Sequence, residues 1–388
     1  MQFVVSARLK WIERPFGLNV LFHFHKTMAI VASLLILSHP VLLAIGGKDW
    51  SIVFDPEILW HIWLGRIALL LVLIQVLLGV FRFVIRLNYE TWRFVHNVFA
   101  APLVGLAFFH SWKAGGDLAL VPMKALWLIL LTAAATAYLW HRVVRTWVLR
   151  MHLWQVSAVR READDVWTIE LTPPPGRARF DYLPGQFHFL TLQRAPHLSV
   201  EEHPWTISSS PTTPGVLTST IKESGDFTAS IDKTRVGDTA LVSGPFGRFS
   251  YVLHPQERDL LFIAGGIGIT PLMSMLRHLR DTGAERNVTL LHVCTAEADL
   301  VFRDELAAMA RETAPKLTFV QVLNKPSETW TGERGVLDEE KIKRLAGAEI
   351  AMRGCYVCAP PALIHKTIRT LRALGVPAAR IHFERFSL

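Results

Sequence analysis

Hydrophobic positions run almost unbroken through four stretches of the first 150 residues, at about 24–46, 60–81, 94–112 and 121–141. Each approaches the roughly 20 residues that a helix needs to cross hydrocarbon, so the pattern predicts four transmembrane helices over residues 1–150. A buried bundle in a water-soluble chain rarely strings four such runs together. Beyond about residue 152 the period shortens. Alternating runs such as VWTIEL, FHFLTL and VLTSTI, separated by PPPG, LPGQ, SPTTPG and GPFG, predict an antiparallel β-barrel over 151–255. From about 256 the pattern changes again. DLLFIAGGIGITPLMSMLRHLR reads as a buried strand, a glycine turn and a helix, and the segments after it keep alternating strand with helix up to residue 388. That alternation predicts a Rossmann-like α/β domain, its parallel sheet carrying a nucleotide site at the carboxyl edge. The expected fold is therefore a multi-domain membrane protein: helical bundle, barrel, α/β domain.

Composition narrows the class. With 51% hydrophobic and 19% charged residues the chain is neither disordered nor collagenous, and three cysteines in 388 residues fit a reducing compartment and no disulfide scaffold. A net charge of +8 is compatible with nucleic acid or with a membrane surface. Its position decides: residues 1–150 hold 14 Lys and Arg against 6 Asp and Glu, and the remainder holds 27 of each. Within the apolar part, the segments before the first run, between the second and third, and after the fourth total +8, while the other two connections total −1. Arg66, inside the second run, is left over. The positive-inside rule then places the amino end and everything after 150 in the cytoplasm, with the chain multi-pass in the inner (plasma) membrane. The charge is a topology signal, and no nucleic acid is expected.

Histidines inside hydrocarbon are costly without a partner and so are functional candidates, although a polar group satisfied between helices is the alternative for any one of them. The first run carries His25 and His39, the third His96 and His110, and both pairs are 14 apart. Fourteen residues end roughly 40° short of four full turns, so each pair shares a helix face about 21 Å apart. Both helices run from inside to outside. His25 would face His96 near the cytoplasm, and His39 would face His110 near the far side. Two imidazoles across such a gap suit six-coordinate haem iron, which moves electrons without binding a small ligand. Arg66 is a candidate for an outer haem propionate, with snorkelling to the surface as the alternative.

Five further segments, HPWTIS (203–208), IKESGDFT (221–228), GPFG (244–247), AGGIGITP (264–271) and HFERF (382–386), resemble the ferredoxin-reductase-type FAD and NAD(P) module. With the paired histidines upstream, the chain resembles the ferric reductase and NADPH oxidase superfamily over about residues 8–388. The resemblance implies that 151–255 binds FAD and 256–388 binds NADH or NADPH. His203, Pro204, Trp205 and Thr206 would line the flavin, with Thr206 at the ring, His203 at the phosphates, and backbone groups of Ile207 and Ser208 as donors. Lys222, Gly225, Asp226, Phe227 and Thr228 would meet the pyrophosphate. Gly244 and Gly247 read as turn glycines. Gly265, Gly266 and Gly268 open a helix where a nucleotide phosphate can approach backbone N–H groups, and Thr270 and Pro271 would approach the nicotinamide.

Cys358, in CAPP where the family usually has Cys-Gly-Pro, would sit near the nicotinamide, and Ala359 departs from that pattern. Cys355 and Cys358 form a CxxC by spacing but lack further metal ligands. Phe386 would stack on the flavin as the family's terminal aromatic. CTAEAD (294–299) lacks the arginine that NADPH binding usually draws on, so Glu297 favours NADH. The superfamily usually has two helices ahead of the first ligand helix; here about 20 residues precede it, so either the sequence begins late or this member manages with four. The implied activity is transmembrane electron transfer from NAD(P)H through FAD and two b-type haems to dioxygen or a ferric chelate. The alternative is a relay subunit serving a quinone or a partner protein.

Overall fold

The computed structural model describes residues 10–347 and 349–385. Two compact units make up the chain, one of residues 19–143 and one of 144–388 that also takes in 13–18. In the first unit the four apolar runs are helices: α1 (Leu18–Gly47), α2 (Trp60–Phe81), α3 (Tyr89–Ala114) and α4 (Val121–Leu139). The last continues through a π turn, Trp140–Val144, to Arg150. All four are long and apolar enough to cross a membrane. Leu34, Leu35, Val80 and Ile129 are 64–66% exposed. A water-soluble bundle would bury such side chains, gaining roughly 1.5–3 kcal/mol for each, whereas lipid removes the need. The unit is built to sit in a bilayer.

α2 and α3 form an antiparallel hairpin, and their facing residues step in opposite directions. Gly79 lies against Trp92, the Gln75 side chain bonds His96, and the His61 carbonyl bonds His110. α3 begins five residues before the apolar run because Asn88 caps it, its side chain accepting the Thr91 N–H at 2.8 Å.

The second unit contains two sheets. Strands β1 (Trp154–Ala163), β2 (Val166–Thr172), β3 (Phe187–Gln193), β4 (Glu202–Thr206), β5 (Leu217–Lys222) and β6 (Thr239–Phe246) form an antiparallel sheet ordered β4-β3-β6-β1-β2-β5. It curls until its edges meet, where Ser208 N–H donates to the Thr218 carbonyl at 2.8 Å. The predicted barrel is therefore present, filled by Val156, Ile169, Leu190, Leu192 and Ile221, all fully buried.

The second sheet is parallel, ordered β10-β9-β8-β7-β11-β12. Its strands are β7 (Asp259–Gly265), β8 (Asn287–Cys294), β9 (Lys316–Leu323), β10 (Glu333–Arg334), β11 (Gly354–Cys358) and β12 (Ile381–Glu384). Helices α5 (Ile269–Asp281), α6 (Arg303–Met309), α7 (Glu339–Ala346) and α8 (Pro361–Ala373) cover it. Leu260, Phe262 and Ala264 pack in one core and Leu261 and Ile263 in another, which is why β7 reads as an unbroken apolar run. The strand order reverses between β7 and β11, so a crevice opens beyond Gly265 and Cys358, the place where such sheets bind ligands.

Candidate functional site

In the helical unit His25 on α1 and His96 on α3 lie ring to ring, with centroids 6.3 Å apart and planes at 79°. Two metal–imidazole bonds of about 2 Å, with about 1 Å from each nitrogen to its ring centre, span about 6 Å. The separation of the ring centres matches that span, which makes the pair a candidate for holding one iron ion between two imidazoles. His39 and His110 sit on the same two helices.

The tautomers follow from the neighbours. His110 Nδ1 lies 2.8 Å from the His61 carbonyl, which can only accept, so Nδ1 carries the proton and Nε2 is left as the metal-binding atom. Gln75 Nε2 donates to the His96 carbonyl at 3.2 Å. Its Oε1 therefore turns to His96 Nδ1 at 2.7 Å and assigns the same tautomer there. Trp92 stacks on the His96 ring at 5.3 Å and 18°. Gly65 admits the His110 imidazole, since a Cβ on it would lie 2.7 Å from Cε1. Sequence spacing points to His25 and His96, which the structure brings together, but misses Gln75 and Gly65. The available signal was an amide standing alone in IALLLVLIQVLLGVF.

Of the two expectations for Arg66, the contacts agree with the second, in which the side chain reaches toward the end of its helix. Its guanidinium donates to the carbonyls of Ser51, Ile52 and Asp55 at 2.8–3.2 Å and lies over the Trp63 ring. It ties down the loop between α1 and α2, where a helical turn leaves carbonyls to satisfy.

In the barrel, β4 carries His203, Pro204, Trp205 and Thr206 opposite β3, with Thr206 paired to Phe187. Several expected phosphate and flavin contacts have other partners. Ile207 N–H bonds the Gln186 carbonyl at 3.0 Å and Ser208 N–H closes the barrel, so neither amide is available to a flavin. The Ser208 carbonyl accepts from Arg277 at 2.7 Å. His203 Nε2 pairs with Glu201 at 3.0 Å. Lys222 Nζ sits between Asp299 at 2.9 Å and Asp165 at 3.2 Å. Burial would lower its pKa, but the two carboxylates outweigh that and keep it charged.

In the turn of Gly225, Asp226 and Phe227, the Thr228 hydroxyl accepts from Ser224 and Gly225 N–H and donates to the Gly225 carbonyl, while Asp226 accepts from Phe227 N–H. The loop is thus closed on itself. A cation at this loop comes instead from Arg194, unnoticed in the sequence. It is 9% exposed, lies over Phe227 at 5.0 Å, and bonds the Ser230 carbonyl at 2.7 Å. Its Nε is buried with no partner among the described residues. An anion at this loop would meet that charge.

At the carboxyl edge of the parallel sheet the three glycines divide their roles. A Cβ on Gly268 would lie 2.1 Å from the Cys358 carbonyl oxygen, and one on Gly265 2.7 Å from Ala359 Cβ. These two let β7 and β11 approach. Gly266, at φ +53°, has nothing within 4 Å of such an atom, so it alone faces open space. Thr270 and Pro271 are buried in the first turn of α5, the Thr270 hydroxyl bonding the Ile267 carbonyl at 3.1 Å. Cys358 is fully buried, and burial, with Glu384 adding to it, pushes its thiol well above the ordinary value. Its thiol is neutral and enclosed, not a nucleophile.

Cys355 packs in the opposite core from Cys358, which rules out a shared metal. Phe187, paired to Thr206, packs on Gly247, which lies near Glu384, and Glu384 pairs in register with Cys358. Thr206 and Cys358 are connected through this chain of neighbours. Phe386 lies outside the described residues. Glu297, half-buried after β8, accepts from the Ser327 N–H and hydroxyl, which hold its carboxyl below the ordinary value. A second cluster, His254, Glu257 and His382, has the composition of a metal site. Its imidazoles stack at 3.9 Å and 30°, the geometry of packed rings rather than of ligands radiating from one ion.

Three family models match in chain order: ferric reductase like transmembrane component over residues 1–107, FAD-binding domain over 149–250, and oxidoreductase NAD-binding domain over 262–368. A stachydrine N-demethylase reductase subunit of Rhizobium meliloti is 32% identical over 58% of this chain and 64% of its own length. A glycine betaine monooxygenase reductase subunit of Pseudomonas aeruginosa is 31% identical over 62% and 66%. The chain thus spans just under two thirds of these relatives. Among solved structures, the FAD/NAD-binding domain of the Vibrio cholerae nitric oxide dioxygenase superposes with a TM-score of 0.54 at 22% identity, covering 60% of this chain and 98% of that one. At that identity the likeness is one of fold. With four membrane-length helices followed by a barrel and a doubly wound sheet, the chain has the ferric reductase/NADPH oxidase-type fusion architecture, a ferric reductase-like transmembrane component joined to FAD-binding and NAD-binding domains.

Proposed function

We propose that the chain is an NAD(P)H-dependent oxidoreductase that carries electrons from the cytoplasm through FAD and two b-type haems to an acceptor on the other side of the inner membrane. The observation that carries this reading is the His25–His96 pair, spaced for one iron and with the His96 Nδ1 already held. When bound, FAD and haem supply the redox chemistry: hydride acceptance from the nicotinamide, then transfer of single electrons.

The protein's part is positioning. The open turn at Gly266 and the start of α5 offer N–H groups to a nucleotide phosphate, and the carboxylate of Glu297 would suit an unphosphorylated ribose, favouring NADH. Thr206 and the neutral Cys358 would line the place where nicotinamide and flavin meet, with Phe386 covering the flavin until it is displaced. Arg194, His203 and the Gly225–Thr228 loop would take the flavin phosphates. His25 with His96 would hold the inner haem, and His39 with His110 the outer one.

Dioxygen, giving superoxide, and a ferric chelate both suit an acceptor reached through bound haem. A second reading has a specific basis: the relatives are named as reductase subunits, so the electrons could go to a partner protein.

The reduced-minus-oxidised absorption spectrum of the purified chain tests the proposal. Two b-type haems are expected, with one or both lost on His25→Ala, His39→Ala, His96→Ala or His110→Ala. A spectrum of flavin alone would sink it. Turnover with NADH against NADPH, followed by dye reduction with and without superoxide dismutase and then by a ferric chelate, separates the acceptors. Turnover only after a partner is added favours the relay.

A further inference from the structure

Gln75 is the only polar side chain between Arg66 and the end of α2, in a segment where an amide is costly unless both its ends are satisfied. Both are satisfied by one residue. Oε1 faces His96 Nδ1 at 2.7 Å and Nε2 donates to the His96 carbonyl at 3.2 Å. This two-point clamp fixes the rotation of the imidazole as well as its tautomer, and Trp92 braces the same ring by stacking at 18°. The plane so fixed lies at 79° to that of His25.

We propose that Gln75 is a positioning residue for the inner haem: it holds His96 as an Nε2 ligand with its plane nearly perpendicular to that of His25, and tunes the iron through the Nδ1–H bond. The inference rests on the haem reading above. Three consequences follow from general chemistry. Accepting the Nδ1–H raises the basicity of the ligand and so favours the ferric state, which lowers the reduction potential. A stronger acceptor deepens that effect and an apolar side chain removes it. Crossed axial imidazoles give a ferric low-spin electron paramagnetic resonance signal of strong anisotropy, and a ring free to turn gives a more rhombic one.

The test uses the full chain purified with its cofactors, as wild type, Gln75→Leu and Gln75→Glu. Readouts are haem and flavin content, the resonance spectrum, and a redox titration that resolves the two haems. In Gln75→Leu one haem is expected to shift upward in potential and to change from the strongly anisotropic to a rhombic signal, with the other unmoved. In Gln75→Glu the same haem is expected to shift downward. Packing alone does not give shifts of opposite sign for two substitutions at one position. If both variants keep their haems with unchanged potentials and spectra, the inference is overturned while the haem reading stands. If the wild-type chain binds no haem, the reading itself falls, and the inference with it.

Discussion

At the scale of single residues, the membrane half depends on side chains that carry no charge. Gly65 is the sharpest case. A methyl group there would lie 2.7 Å from His110 Cε1 and 2.8 Å from Nδ1, closer than a real Cβ contact allows, so the ring must move. Moving it breaks the bond from Nδ1 to the His61 carbonyl and turns Nε2 away. Gly65→Ala is therefore expected to lower occupancy of the outer haem several-fold while the inner haem and the flavin stay at wild-type levels, as read by haem-to-flavin ratio and redox titration. Equal loss of both haems would argue for general misfolding instead.

The same residues mark what the sequence could and could not disclose. The matched spacing of the histidines is legible because helical periodicity alone puts each pair on one face of its own helix. Gln75 and Gly65 are not, because their meaning lies in which helix packs against which. Lys222 shows a related limit. A lysine before a glycine turn looks free for a phosphate, yet the fold brings in Asp299, distant in sequence, to pair with it. Arg194, by contrast, gives no motif at all and is found only by its burial beside Phe227.

At the scale of elements, the alternation of hydrophobic positions gave the strands and the four long helices, and boundaries moved where polar caps extend a helix, as Asn88 does for α3. Long-range polar networks were not legible. The main example joins the segment ahead of β7 to β11 and β12. Glu257, 4% exposed, accepts from Tyr356 Oη at 2.7 Å and pairs with His382 Nε2 at 2.9 Å. Gly354 leaves room for it, since a Cβ there would lie 2.2 Å from its carboxylate.

Burial alone would raise the Glu257 pKa, but the hydrogen bonds from His382 and Tyr356 outweigh it and hold the carboxyl below its ordinary value of 4.5. A carboxyl with a lowered folded-state pKa stabilises above its unfolded pKa and loses that contribution as pH falls through the folded one. Thermal unfolding of the wild-type chain, followed by tryptophan emission from pH 7 downward, is expected to lose stability below about pH 4.5. Glu257→Gln should start about 2 kcal/mol lower at neutral pH, as expected for hydrogen bonds to a charged group, and show a flatter acid limb. An unchanged acid limb in Glu257→Gln would assign the loss to other carboxylates.

At the scale of the whole molecule, the charge distribution bears on direction. The chain carries its excess charge wholly in the apolar half, +8 on one set of connections and −1 on the other, and on the proposed reading that bias would place the set containing the segment after α4 in the cytoplasm. The FAD-binding and NAD-binding domains follow that segment, so nicotinamide, which does not cross lipid, would reach the chain from the cytoplasmic side. His39 and His110 would then lie toward the far side, where the proposed acceptor is met. Vesicles of known orientation test this. With the chain in inverted membrane vesicles, added NADH is expected to be oxidised at once, because the nucleotide domain faces outward. In sealed right-side-out vesicles NADH should give almost no turnover until detergent opens them, while NADH loaded inside should reduce an impermeant ferric chelate added outside. NADH oxidation by intact right-side-out vesicles at the detergent-opened rate would reverse the orientation. It would also exchange the inner and outer histidine pairs, since the charges that orient the helices order the haems.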